Sequence, residues 1–228
     1  MANEIFDLRV RNLEVLGTRD RSILSVPRLE APAGCALGIH GPSGAGKSTL
    51  LFALAGLLGQ TKGQVLWGPT DLNRQSERQR SRFRAANIGM IFQDFLLFDE
   101  LGPVDNAALQ TLFAPHARRP GIRRMARDLL TSLGIEQDSR SVASFSGGER
   151  QRVAVARALA HDPMIVLADE PTASLHRAAA DALTDDLISR VEDRGCSLIV
   201  VSHDDRLLDR MDRVISLEHG TVTGGIAA

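Results

Sequence analysis

Five short apolar runs, Cys35 to Ile39, Ile88 to Phe92, Met164 to Ala168, Ser197 to Val201 and Arg213 to Leu217, punctuate the chain. Their length, β-branched content and lack of alternation predict strands, most of them buried on both faces as in a parallel sheet. The opening MANEIFDLRV adds a short strand-like segment. Between the runs the apolar positions take a helical period. Lys47 to Leu58 and Ala178 to Val191 read as helices, the second with Leu183, Leu187 and Val191 on one stripe. Strands alternating with helices predict an α/β fold. From about Gln93 to Ser144 the pattern changes: Pro103 to Phe113 and Gly121 to Leu133 read as helices with no convincing strand, which suggests an inserted helical lobe. No internal repeat or low-complexity tract is visible, and the tail from Gly224 to Ala228 reads as frayed.

The chain has 228 residues, 43% hydrophobic and 24% charged, which suits one domain, or one domain with a lobe. A formal net charge of -1 gives no reason to expect a protein that coats nucleic acid or an anionic membrane. Cys35 and Cys196 lie in apolar surroundings without metal-ligand spacing and read as free, buried thiols in a reducing compartment. The N-terminus reads as lacking an export signal. The longest apolar stretch, Leu50 to Leu58, is too short to span a bilayer, so a membrane role requires a partner.

The chemistry is concentrated at a few points. Gly41, Pro42, Ser43, Gly44, Ala45, Gly46, Lys47, Ser48 and Thr49 follow a predicted strand and open a predicted helix, the context that distinguishes a phosphate-binding loop from an ordinary Gly-rich turn. Glycines let backbone N–H groups wrap a phosphate, and the helix N-terminus adds partial positive charge. Lys47 suits the β and γ phosphates of a nucleotide, and the Ser48 hydroxyl suits Mg2+. Downstream, Asp169 and Glu170 end a buried strand: Asp169 would hold the metal shell, and Glu170 would polarise the attacking water as general base. Capping of the turn at Pro171 is the competing reading of that acidic pair, and the loop upstream weighs against it. Two other strands end at Gln93 and at Ser202-His203. In a parallel sheet these ends converge, so Gln93 is placed to touch Mg2+ or the water, and His203 to sense the γ-phosphate. Finally, Ser146, Gly147, Gly148 and Glu149 combine capping-box spacing with exposed backbone N–H groups, which makes a second anion site. One chain does not need two, unless the second serves a nucleotide held by another copy.

In this order the motifs resemble those of ATP-binding cassette (ABC) ATPase subunits, and the resemblance covers essentially the whole chain. It implies a P-loop NTPase core, a RecA-like parallel sheet with a small antiparallel β part, formed by residues 1–92 and 151–228. An inserted α-helical subdomain, 93–150, carries the signature segment. ATP and Mg2+ are the implied ligands. Two subunits, most simply a homodimer, would sandwich two ATP molecules, each between the 41–49 loop of one copy and Ser146 to Glu149 of the other. Gln93 and the helical subdomain would engage integral membrane permease subunits, placing the chain in the cytoplasm on the inner face of the cell membrane, with no nucleic acid partner. Within the superfamily, Asn87 to Leu97 and Leu167 to Thr172 are similar to the lipoprotein-release and macrolide-export branch. Competing readings are an importer ATPase, a soluble ABC protein acting on DNA or ribosomes, and a regulator that hydrolyses ATP poorly. The single cassette without sustained heptads weighs against the second, and Glu170 with His203 against the third.

The chain departs from the family pattern at Leu16, where an aromatic usually stacks on adenine, and at His176, where an Asp usually couples the two sites. Phe145 and Glu149 replace the usual Leu and Gln of the signature, changes that look tolerable. Two basic groups remain. Arg78, Arg80, Arg82 and Arg84, following Ser76 and Gln79 at capping-box spacing, read chiefly as a solvated helix face. Arg118, Arg119, Arg123 and Arg124 read first as solvated charges and second as a contact for anionic headgroups or an acidic partner loop.

Overall fold

The computed structural model describes residues 6–17, 21–136 and 140–227. Ten strands form one sheet in the order β5-β4-β1-β2-β10-β9-β3-β8-β7-β6. Its inner part is parallel: β3 (Ala36–His40), β6 (Ile88–Ile91), β7 (Ile165–Asp169), β8 (Ser197–Val201) and β9 (Arg213–Glu218) match the five apolar runs. The absence of alternation has the cause expected from the sequence. Ile165, Leu167, Ile199 and Val201 point into one core with Leu50, Leu51 and Leu54, whereas Val166, Ala168, Leu198 and Val200 point into another with Val153, Ala156, Leu183 and Leu187. Helix α1 (Lys47–Leu54) covers the first face; α5 (Gly147–Leu159) and α6 (Arg177–Arg194) cover the second.

The outer part is antiparallel, with β1 (Leu8–Leu16) between β2 (Ser22–Ala31) and β4 (Thr61–Trp67), and β5 (Thr70–Asp71) at the edge. A bulge in the β1/β4 ladder, between Arg11 and Glu14, masks its period. The β1/β2 ladder runs from Arg11↔Arg28 to Leu13↔Val26, leaving Asn12, with φ 48°, and Pro27 without a paired register position. Proline tolerates that place because it has no N–H to contribute. Gly63 is required opposite, since a Cβ there would lie 2.1 Å from the Asn12 carbonyl oxygen.

Several boundaries differ from expectation. Helix α1 stops at Leu54, not Leu58, because Gly56 adopts φ 62° and the Leu57 N–H returns to the Phe52 oxygen in a terminating turn. The segment expected as one helix from Pro103 to Phe113 is α3 (Pro103–Ala107) followed by a 3-10 turn, Leu109–Leu112. As far as Ala227 the tail is not frayed, since β10 (Thr221–Ala227) pairs with β9 up to Ala227↔Arg213; Ala228 lies outside the described residues. Helix α4 (Arg119–Ser132) completes the helical region, in which no strand occurs between residues 93 and 144 among the described residues. The arginine run forms α2 (Glu77–Asn87), a helix with no buried residue. Its N-terminus has the capping box, and Arg80 and Arg84 both pair with Glu77. In the second basic group Arg118 donates to the His161 carbonyl, Arg119 to the Ala114 carbonyl and Arg123 to Asp105. Cys35 and Cys196 are both buried free thiols.

Candidate functional site

The C-terminal ends of β3, β8, β7 and β6, adjacent in the sheet, open into a cleft of about 800 Å3. The loop after β3 forms its floor. Gly41 has φ 152° and a Cβ there would meet the Leu217 carbonyl oxygen at 2.1 Å, so the turn out of β3 has no room for a side chain. Gly46, with φ 97°, supplies the left-handed N-cap from which α1 starts and aims its first N–H groups into the cleft. Lys47 is 7% exposed and bends back: its ammonium donates to the Gly41 oxygen at 2.7 Å, the Pro42 oxygen at 3.0 Å and His203 Nε2 at 3.1 Å. An ammonium only donates, so Nε2 is the acceptor of this contact.

Asp169 ends β7, almost fully buried. Burial raises its pKa above the usual carboxylate range, opposed by a hydrogen bond from the Ser48 side chain and by the charge of Lys47. Its Oδ1 has no protein partner. Glu170 follows with φ 48°, a left-handed conformation that turns its side chain back to the ends of β7 and β8. Its Oε2 accepts from the Ser202 hydroxyl at 3.3 Å and the His203 N–H at 3.4 Å; its Oε1 lies 3.6 Å from His203 Nε2, buried and without a hydrogen bond. Gln93, just past the end of β6, is exposed and lines the same cleft. The cleft therefore gathers Ser43, Gly44, Gly46, Lys47, Ser48, Thr49, Gln93, Asp169, Glu170 and His203.

Ser146 to Glu149 are not in it. They start α5 on the exposed side, where the capping box is complete. Ser146 N–H and Oγ donate to Glu149 Oε2 at 2.8 and 2.7 Å, and Glu149 N–H returns to Ser146 Oγ at 3.3 Å. The bond from Ser146 is the main cause that holds the Glu149 carboxyl below its ordinary pKa. Gly148 abuts the turn after β7, where a Cβ would lie 3.2 Å from the Ser174 oxygen. Helix α5 thus begins at Gly147.

The two departures occupy unremarked places. Leu16, half-buried at the end of β1, does not line the cleft. His176 is the N-cap of α6, its Nδ1 accepting from the Ala179 N–H at 3.4 Å. Residues that escaped the sequence reading hold the cleft together. Arg157 of α5, whose pKa burial lowers to about 10, donates to the carbonyls of Phe95 (2.7 Å) and Leu96 and fixes the segment after Gln93. Its charge amid Val153 to Ala160 was a legible signal. Arg177 bridges Asp181 and Asp204, tying the start of α6 to the loop that carries His203.

A family model described as ABC transporter matches residues 24–173. The lipoprotein-releasing system ATP-binding protein LolD of Legionella pneumophila (strain Paris) is 37% identical over 207 residues, 90% of this chain and 91% of that protein. Among solved structures, the dimeric MJ0796, a bacterial ABC transporter cassette, superposes with a TM-score of 0.88 at 30% identity, covering 96% of this chain and 98% of that one. Its dimeric post-hydrolysis form bound to ADP and Pi gives 0.86 at 29% identity, covering 96% and 98%. A core of parallel strands feeding one cleft, matched over this extent, places the chain in the ABC transporter family as an ATP-hydrolysing cassette.

Proposed function

We propose that two copies of this chain close head to tail around two ATP molecules and drive a membrane complex of the lipoprotein-release type. One observation carries the dimer: Lys47, Asp169, Glu170 and His203 share a cleft, whereas exposed Ser146 and Gly147 and half-buried Gly148 lie outside it at the N-terminus of α5, a place suited to an anion. A second copy supplies what the cleft lacks. In the closed pair, Lys47 exchanges its loop carbonyls for phosphate oxygens, and His203, released from the ammonium, takes the tautomer with its proton on Nε2 and donates to the γ-phosphate. Glu170 Oε1, which has no hydrogen bond, takes the proton of the attacking water.

Magnesium fits the donors present. Asp169 Oδ1 is an orphaned buried oxygen next to Ser48, and Gln93 opens onto the same space. Among the described residues no three His, Cys, Asp or Glu side chains form a metal cluster, so phosphate oxygens would complete the shell, as is usual for Mg2+. The ion would supply neutralisation of the phosphate charge.

No helix among the described residues is long and apolar enough to cross a membrane. A largely apolar groove of about 310 Å3 instead runs along Leu57, Phe92, Leu96, Leu109 and Phe113, with Leu96 56% and Phe113 72% exposed. We assign it to a cytoplasmic helix of an integral membrane permease, which would hold the chain on the inner face of the membrane and connect residues 93–150 to transport. The relative named for lipoprotein release supports a cargo of that class. Purification of the tagged chain from its native membranes in mild detergent tests this. A multispanning partner in stoichiometric amount is expected, and recovery of the chain only in the soluble fraction would sink the reading.

His176 gives a smaller test. Asp caps a helix better than His, by about 1 kcal/mol, and restores the family residue in the turn beside the signature. His176→Asp is expected to raise both the melting temperature and the ATPase rate. A higher melting temperature with an unchanged rate would make the position a cap and nothing more.

A further inference from the structure

Ser202 follows Val201, the last residue of β8, and precedes His203, both of which line the cleft; it is fully buried, and its hydroxyl is committed on both sides. The Asp204 N–H donates to Oγ at 3.0 Å, so the hydroxyl proton is directed away from that turn, to Glu170 Oε2 at 3.3 Å. The same oxygen receives the His203 N–H at 3.4 Å, while the Glu170 N–H is anchored on the Val201 oxygen at 2.9 Å. The carboxylate is therefore held on one side only. Oε2 is fixed by residues 202 and 203, and Oε1 is left as the acceptor without a partner. This matters because Glu170 has φ 48°, a conformation a non-glycine residue adopts only when its surroundings hold it.

We propose that Ser202 is a positioning residue for ATP hydrolysis, fixing the Glu170 carboxylate so that Oε1 faces the attacking water. In that step the water oxygen bonds to the γ-phosphorus and its proton passes to Oε1. The bond to the β–γ bridging oxygen breaks, leaving ADP and phosphate. The proposal rests on Glu170 being the base, and the experiment separates the two claims.

Steady-state and single-turnover hydrolysis and ATP affinity are measured on the full chain for Ser202→Ala, Ser202→Cys, Glu170→Gln and the doubly substituted Ser202→Ala/Glu170→Gln. Alanine is smaller than serine and cysteine slightly larger, and cysteine donates only weakly, so a loss shared by both variants is not a packing defect of one sign. Loss of a hydrogen bond to a charged group is expected to lower kcat about tenfold in both single Ser202 variants. ATP affinity stays unchanged, and Ser202→Ala causes no further loss in the Glu170→Gln background. A wild-type kcat in either single variant overturns the proposal, as does weakened ATP binding in proportion to the rate or an equal additional loss in the Glu170→Gln background. Wild-type turnover by Glu170→Gln alone removes the base and the positioning role together.

Discussion

Replacing Glu170 with glutamine lowers ATP turnover by roughly two to four orders of magnitude, the range of a lost general base, and leaves ATP binding intact. The geometry explains why the two effects separate. Glutamine has nearly the size of glutamate, and its amide oxygen still accepts from Ser202 and the His203 N–H, so the left-handed turn and the end of β8 keep their contacts. What disappears is the proton-accepting capacity of Oε1, the carboxylate oxygen that has no hydrogen bond in the cleft. In the proposed pair, binding depends on other groups: the N–H groups of the 41–49 loop, Lys47, and Ser146 to Gly148 of a second copy. With binding preserved and hydrolysis stopped, the ATP-bound dimer should accumulate, visible as a doubled mass by light scattering when ATP is added to Glu170→Gln and as a monomer without it. A hydrolysis rate within tenfold of wild type would assign the base to another group. A monomer in saturating ATP would count against the head-to-tail pair.

The features legible in the sequence were those set by local composition. Residues 165–169 and 197–201 face two cores at once, so their apolar runs could be read as inner strands without any partner in view. Gly41 and Gly46 could be read because the backbone there excludes other residues, and the Ser146/Glu149 capping box because both halves lie within one helical turn. What the chain concealed depends on distant contacts. The antiparallel arm hides its alternation behind the Asn12 bulge and Pro27, each tolerable only because the neighbouring strand leaves it unpaired. The role of Ser202 arises from two strands lying side by side, with Asp169 opposite Val201, and the grip of Arg157 on Phe95 and Leu96 spans more than sixty positions. The retracted pose of Lys47 likewise depends on His203, 156 residues away.

That pose sets the second large effect. Lys47→Ala is expected to weaken ATP binding by about two orders of magnitude, the scale of two charge-assisted hydrogen bonds to phosphate at 1.5–3 kcal/mol each, less what is lost from the free state. The deduction matters because the ammonium is not idle before nucleotide arrives. It satisfies the Gly41 and Pro42 carbonyls and His203 Nε2, and those bonds are given up when it turns to the phosphates. Lys47→Arg should not restore affinity. The position is 7% exposed between loop carbonyls and His203, and a planar guanidinium needs a wider opening than a compact ammonium. Titration calorimetry with ATP on both variants measures this directly, with circular dichroism to show that the fold is retained. Affinity within threefold of wild type for Lys47→Ala would mean that the backbone N–H groups of the loop hold the phosphates almost unaided. Recovery by Lys47→Arg would show that charge at this position suffices and that the tight seating of the ammonium beside His203 has no part in binding.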